Sequence, residues 1–422
     1  MDNEARAARG ILDGRCVRRF KHLIQAGVEA SLVGKRVVVK FGGAELRSGE
    51  SFRQAAEMVK AACFEEVVVV VSAMEKTTDN LINHVRCIGK ISDADYADIV
   101  SIGERISARM FSSALRAVGL NSTYFDPQSP SWPIVTDSNF LEAEPDLGET
   151  RRRVRTCIEP LLGSCVPVVC GFVGKDREGR VTLLGRGGSD ITATLLGNCL
   201  NADEVILVKN TEGVLSADPT LVPDAKPLKE VTVEEMFSLA QGGAKIVHPK
   251  ALKYKLPHQK LKVASFNNGL SYGGTEIIGA FSNPFEVRKY GDLCAVTLVG
   301  ELNAANLVKA MTAFANKKIA GLSTGRNSVT VFAEIKDKKA LLSQLCKKSD
   351  FKGISLKEKI GAIEVLSPEF IESPGWVAKI SGVLAEKGIN IVEISSSKAT
   401  IAIFLEEKDL EKALEAIKAL KK

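Results

Sequence analysis

Residues 35–74 read KRVVVKFGGAELRSGESFRQAAEMVKAACFEEVVVVVSAM: an apolar β-branched run ending in Gly-Gly, a stretch of helical period, and a second apolar run. Continuous Val-rich runs of this length suit strands buried on both faces, and a helix between two of them is the unit of a parallel sheet. The same alternation continues through Ser122 (STYFD), Trp132 (WPIV), Val166 (VPVVCGF) and Glu204 (EVILVKN). Helical patterns fall between them near Ser51–Cys63, from Thr78, and over Asp93–Val118, Gly148–Leu161, Thr192–Leu200 and Thr232–Leu239. This predicts an α/β domain with a mostly parallel central sheet over residues 35–281.

Beyond FSNPFEVRKYGD the rhythm shortens. A strand at Cys294, a helix, two strands and a helix are followed by the same order from Gly361, with leading strands 67 residues apart from Ala295 to Ala362. Two βαββα copies form a tandem α+β module of the kind that buries sheet against sheet. The apolar side of KDLEKALEAIKAL reads as a core stripe.

Composition narrows the function. The 422 residues are 45% hydrophobic and 26% charged, with net charge +6 and scattered basic residues, so neither disorder nor a nucleic-acid surface is expected. No apolar run approaches the roughly 20 residues of a membrane span. Nine cysteines without a CxxC pair and four dispersed histidines suggest reduced thiols in a cytoplasm, and no metal site. Residues 1–34 are basic around RCVRRFKHL without a signal core and read as short helices.

Four stretches carry chemistry. Lys40 and Gly42–Gly43 close the first strand, where ligands gather at the C-terminal edge of a parallel sheet; a lysine there can neutralise phosphate, though it can equally cap a strand. Ser72, Thr77 and Thr78 follow the second strand and can hold an anion or cap the next helix. Glu104 lies in an amphipathic stretch where a solvated glutamate is the plainer reading. In LLGRGGSDITATLLG, Arg186 offers a planar fork, Gly187 and Gly188 allow close backbone approach, and Ser189–Asp190 stand at a helix start, together an anion cradle. There is no GxxxxGK[ST] and no strand-linked GxGxxG.

Taken in order, VVVKFGG, VVVSAMEKTTDNL, SIGERISARMF, IVTDSNFLEAEP, VVCGFVGKDREGRVTLLGRGGSDITA and GGAKIVHPKAL resemble the aspartate kinases of the amino-acid kinase superfamily, from about Arg36 to the end. The resemblance implies a three-layer α/β/α catalytic domain followed by tandem ferredoxin-like ACT domains, at 290–357 and 358–422. It implies ATP-dependent phosphorylation of the L-aspartate β-carboxylate, the first step toward lysine, threonine and methionine. Lys40 then serves the γ-phosphoryl group, with Asp190 as its catalytic companion, and Gly42, Gly43 beside the phosphates. Ser72, Thr78, Glu104, Arg186, Gly188 and Ser189 hold the substrate, Glu104 taking the α-amino group and Arg186 the α-carboxylate. Lys245 lies at the nucleotide, while His248 reads as structural. Mg²⁺ arrives through the phosphates, with no protein metal site.

Two segments depart from that pattern. VKNTEGVLSADPT, residues 208–220, stands where the family reads close to TDVDGVYTADPR, leaving Lys209, Asn210 and Gly213 as the nucleotide contacts. The first βαββα unit has GELNAANLVKAM in place of the Pro-Gly helix start that the second unit keeps. The resemblance further implies a lysine or threonine effector at the ACT units and a homo-oligomer formed through them. A kinase of another small amino acid and a weakly catalytic amino-acid sensor are the alternatives.

Overall fold

The computed structural model describes residues 35–244, 246–271, 273–281, 285–367, 370, 374–397 and 400–420. The helical reading of residues 1–34, and the Lys245 assignment, lie outside the described residues. The chain divides into two compact units between Phe281 and Ser282.

The first unit runs β1 (Arg36–Phe41), α1 (Gly49–Ala62), β2 (Glu66–Val71), α2 (Thr77–Ile88), α3 (Asp93–Ala117), β3 (Ser122–Phe125), α4 (Leu147–Cys157), β4 (Val166–Cys170), β5 (Val173–Lys175), β6 (Val181–Leu183), α5 (Gly188–Cys199), β7 (Glu204–Lys209), β8 (Glu230–Thr232), α6 (Val233–Gln241), α7 (Pro249–Leu252), β9 (Lys260–Ser265) and β10 (Thr275–Ile278). Eight strands form the main sheet in the order β3-β4-β2-β1-β7-β9-β10-β8. The first six of that order are mutually parallel; β10 turns antiparallel to β9 and carries β8 alongside it. Val37 to Phe41 and Val67 to Val71 are buried throughout, so helices cover both faces. Helices α1 and α3 pack on each other, α3 against β2, β3 and β4, while α5 lies on β1, β2 and β7.

Local chemistry sets the element ends. Ser48 and Ser51 form a capping box at α1, which stops at left-handed Cys63. Ser92 caps α3, a helix of 25 residues whose buried stripe holds Ala97, Val100, Glu104, Ala108, Phe111 and Leu115. The expected strand at Trp132 does not form: Pro133 has no N–H for a ladder, and the Trp132 indole is buried donating to Ile134 O at 2.9 Å. Only Val135 bridges, to Lys175. Helix α5 begins at Gly188, four residues before the expected Thr192, because Gly187 turns left-handed (φ 70°) directly ahead of it.

The second unit runs β11 (Glu286–Val299), α8 (Ala304–Met311), β12 (Ile319–Thr324), β13 (Ser328–Glu334), α9 (Lys338–Lys348), β14 (Gly353–Leu366), α10 (Trp376–Glu386), β15 (Ile391–Ser397), β16 (Thr400–Glu406) and α11 (Leu410–Ala419), with strand order β12-β13-β11-β14-β16-β15. Two βαββα copies are present. The leading strands start earlier than their apolar runs suggest, at Glu286 and Gly353, because β11 and β14 pair with each other along their whole length. Both bend at a left-handed residue, Asp292 and Lys359, again 67 residues apart, so the repeat extends to the backbone irregularity. β14 runs through the expected boundary at 357/358. Each copy has a core under its own helices, around Val296 and Val331 in the first and Ile363 and Ile403 in the second. A third cluster of Leu293, Ala295, Phe332, Ile360, Ala362 and Phe404, with Phe332 stacked on Phe404 at 3.8 Å, joins the copies sheet to sheet. Leu410, Ala413, Leu414 and Ile417 are buried, so the α11 stripe is core. Among the described residues no helix is long and apolar enough to cross a membrane.

Candidate active site

β1 is flanked by β2 on one side and β7 on the other, with all three parallel. At such a switch point the connecting loops diverge and leave a crevice over the strand C-termini. The ends of β4, β2, β1 and β7 stand there in a row, with Lys40, Gly42, Gly43, Ser72 and Lys209 at or just beyond them.

At the β1/β7 end, Lys40 Nζ lies 2.9 Å from Asp190 Oδ1 and Lys209 Nζ 3.3 Å from Asp190 Oδ2. Lys40 is the penultimate residue of β1, Lys209 closes β7, and Asp190 lies in the first turn of α5. Lys40 and Asp190 are buried. Burial alone would raise the Asp190 carboxyl, but Lys209 and then Lys40 outweigh it and hold the group well below the ordinary carboxylate range. Lys209 is pushed down by burial and by Lys40, against the pull of Asp190. Asp190 therefore keeps two ammonium groups fixed side by side. Ahead of them, Gly43 is pressed so tightly on the end of β2 that a Cβ would stand 2.6 Å from Ala73 O. Two lysines and a glycine turn without side chains form a cradle for a polyphosphate. Among the described residues no group of three or more His, Cys, Asp or Glu could hold a metal ion.

At the β2/β4 end, Glu104 is buried on α3. Its Oε1 accepts from Ala73 N at 3.1 Å, while Oε2 has no hydrogen-bond partner. Burial raises the carboxyl to about 8, the hydrogen bond from Ala73 only partly opposing it. A buried acid with one idle oxygen beside a cleft fits a cationic ligand such as an ammonium group. Ser72 is half-buried next to it. Thr77 and Thr78 do not cap α2, whose N-cap is left-handed Lys76 without a side-chain bond. Across the row, Gly188 packs on Phe172, where a Cβ would stand 2.6 Å from the ring, and Ser189 packs on Gly171. Phe172 itself is left-handed (φ 68°), held by its N–H donating to Thr192 Oγ1 at 3.1 Å.

Arg186 is exposed in the loop between β6 and α5. His248 packs its ring on Gly187, a structural role. Gly213 (φ 127°) is pressed under Thr275, with Cβ space of only 2.5 Å to Thr275 Oγ1, so packing accounts for the glycine. Asn210 is exposed; with its amide oriented to satisfy both ends, it donates to Glu45 Oε1 and accepts from Arg47 Nη2, each at 3.2 Å. Sequence reasoning passed over Glu45, a buried acid two residues beyond Gly43 that reads in sequence as an ordinary turn residue.

A model of the amino acid kinase family matches residues 35–264, and an ACT domain model matches residues 355–419. The chain belongs to the amino acid kinase family. It is similar to the aspartokinase of Corynebacterium glutamicum, 30% identical over 407 residues that span 90% of this chain and 94% of the relative. It is similar also to that of Geobacillus stearothermophilus, at 28% over 397 residues, 90% and 96%. The crystal structure of aspartate kinase from Synechocystis superposes with a TM-score of 0.73 at 25% identity, covering 91% of this chain and 69% of that one. Within the family the chain stands among the aspartate kinases.

Proposed function

We propose that the row of strand ends binds L-aspartate at its β2/β4 end and ATP at its β1/β7 end, and transfers the γ-phosphoryl group to the β-carboxylate. The observation that carries this reading is the spacing of charge along one crevice: an idle buried carboxylate oxygen on Glu104, and the Lys40–Asp190–Lys209 cluster one strand further on. The β-carboxylate oxygen forms a bond to the γ-phosphorus as the bridging oxygen leaves with ADP, giving 4-phospho-L-aspartate. A carboxylate is already anionic at neutral pH, so no general base is required. Lys40 and Lys209 offset the charge on the transferring group and on the leaving oxygen; Asp190 orients both lysines. Glu104 receives the α-amino group, Arg186 the α-carboxylate, and Ser72, Thr78, Gly188 and Ser189 line the acceptor. Bound through the phosphates, Mg²⁺ supplies further neutralisation.

Residues 35–281 are the catalytic domain in this reading, and 290–357 and 358–422 the two ACT units. The second unit, which keeps its Pro-Gly, carries an effector amino acid, lysine or threonine, and the units pair in a homo-oligomer. Cys87, Cys157, Cys165, Cys170, Cys199, Cys294 and Cys346 are free thiols, which suits a reducing cytoplasm.

Hydroxylamine trapping of the acyl phosphate, with ADP release followed in parallel, tests the reaction. Turnover is expected with L-aspartate, and not with L-glutamate or N-acetylglutamate. Turnover with another acid alone would replace aspartate as the acceptor, and none with any acid would favour a sensor.

A further inference from the structure

Beside the two lysines lies a buried acid that the transfer step leaves unused. Glu45 follows the Gly42–Gly43 turn, its backbone N–H donating to Gly42 O at 3.2 Å. Its Oε2 covers Gly42 so closely that a Cβ there would run into it, and the same position lies 3.2 Å from Lys40 Nζ. Oε1 takes the Asn210 amide. Lys40 from β1 and Lys209 from β7 attract the carboxylate, Asp190 from α5 shares both lysines, and Arg47, paired with Glu75 at 3.3 Å, stands at the exposed rim. One buried and one half-buried lysine thus face two buried carboxylates.

A nucleotide phosphate seated on Gly42 and Lys40 meets the Glu45 carboxylate already there. Two anions side by side in a site with little water repel strongly, and both lysines are already shared. The acid can leave, hold a cation against the phosphate, or become neutral. The Gly42 turn and Asn210 oppose its leaving. We propose that Glu45 takes up one proton when nucleotide phosphates bind and, as the neutral acid, donates a hydrogen bond to a phosphate oxygen, which makes it a nucleotide-binding residue that couples ATP affinity to pH. Burial, which already raises this carboxyl above its ordinary value against the pull of Lys40 and Lys209, works in the same direction.

This inference rests on the nucleotide reading above. Calorimetry of MgADP binding to the full chain at pH 7.5, in two buffers of different ionisation enthalpy, counts the protons. The wild type is expected to take up about one proton more than Glu45→Gln, because the glutamine cannot titrate while Lys209 and the nucleotide titrate alike in both. Wild-type ADP affinity then falls up to about tenfold per pH unit from pH 6.5 to 8.5, and that of Glu45→Gln falls less, binding tighter than wild type at pH 8.5. Equal proton counts would overturn the proposal. So would a loss of MgADP affinity in Glu45→Gln at unchanged proton count, which would mean that Glu45 stays ionised and holds the cation. Should the variant misfold, a wild-type ADP affinity that does not fall with pH overturns it alone. No ADP binding by the wild type would overturn the functional reading itself, whereas binding without proton uptake would overturn only the role of Glu45.

Discussion

Asp190 and Glu104 are both buried carboxylates in one crevice, yet their surroundings drive them in opposite directions. Asp190 has two ammonium groups within 3.3 Å and stays ionised far into acid; Glu104 has one backbone N–H, an idle oxygen and a carboxyl near 8. Burial raises both, so the partners decide. The Asp190 end is complete before any ligand arrives and serves to hold cations in place. The Glu104 end leaves one carboxyl oxygen without a hydrogen-bond partner, and the proposed reading assigns that oxygen to the substrate's ammonium group.

Removing charge from the complete end should do the most damage. Lys40→Met is expected to lower kcat about 10³-fold while the KM for aspartate moves little, since the lysine acts on the transferring group. A comparable rise in KM for aspartate, seen in initial-rate kinetics, would merge the two ends. Glu104→Gln should do the reverse, lowering kcat/KM for aspartate about 10²-fold with ADP affinity unchanged. It also has a stability signature of its own. Between pH 4.5 and 8 the folded Glu104 keeps a proton that the unfolded chain releases, so the fold loses stability as pH rises through that window. Glutamine escapes this loss, so the ligand-free variant should be more stable by about 3 kcal/mol at pH 7, a gain that denaturant titration would read and that should vanish near pH 4. A destabilised variant would mean that Glu104 is satisfied without ligand. Arg186→Lys, which keeps the charge but loses the planar fork, should raise the KM for aspartate about tenfold and leave that for ATP alone. Equal shifts in both would take Arg186 off the carboxylate.

Much of the first unit was legible because both its signals are local. The Val-rich runs and the glycines at their ends announce buried strands and turns, and they pointed to Lys40 and Asp190, which the structure pairs at 2.9 Å. Glu104 was on the page too, at helical spacing from Val100, Ala108 and Phe111, but reading it as buried required knowing which face of α3 meets the sheet. Lys209 was visible only as a departure from a family loop; its pairing with Asp190 depends on β7 lying beside β1, a neighbour 167 residues away in sequence by the register Phe41↔Val208. Glu45 was missed since only burial distinguishes it from an ordinary turn acid. In the second unit the repeat was legible, whereas the full length of β11 and β14 was not, because their polar ends are held by pairing with each other.

The difference between the two ends is tested most directly by the pH dependence of aspartate binding to the wild type at saturating ADP. The idle oxygen of Glu104 must shed its proton to receive an ammonium group, so aspartate affinity should climb as pH rises from 6.5 toward 8 and level off above it, with a proton released on binding. Affinity that is flat or falls with pH over that range, with no proton released, would contradict the assignment of Glu104 as the seat of the substrate's amino group.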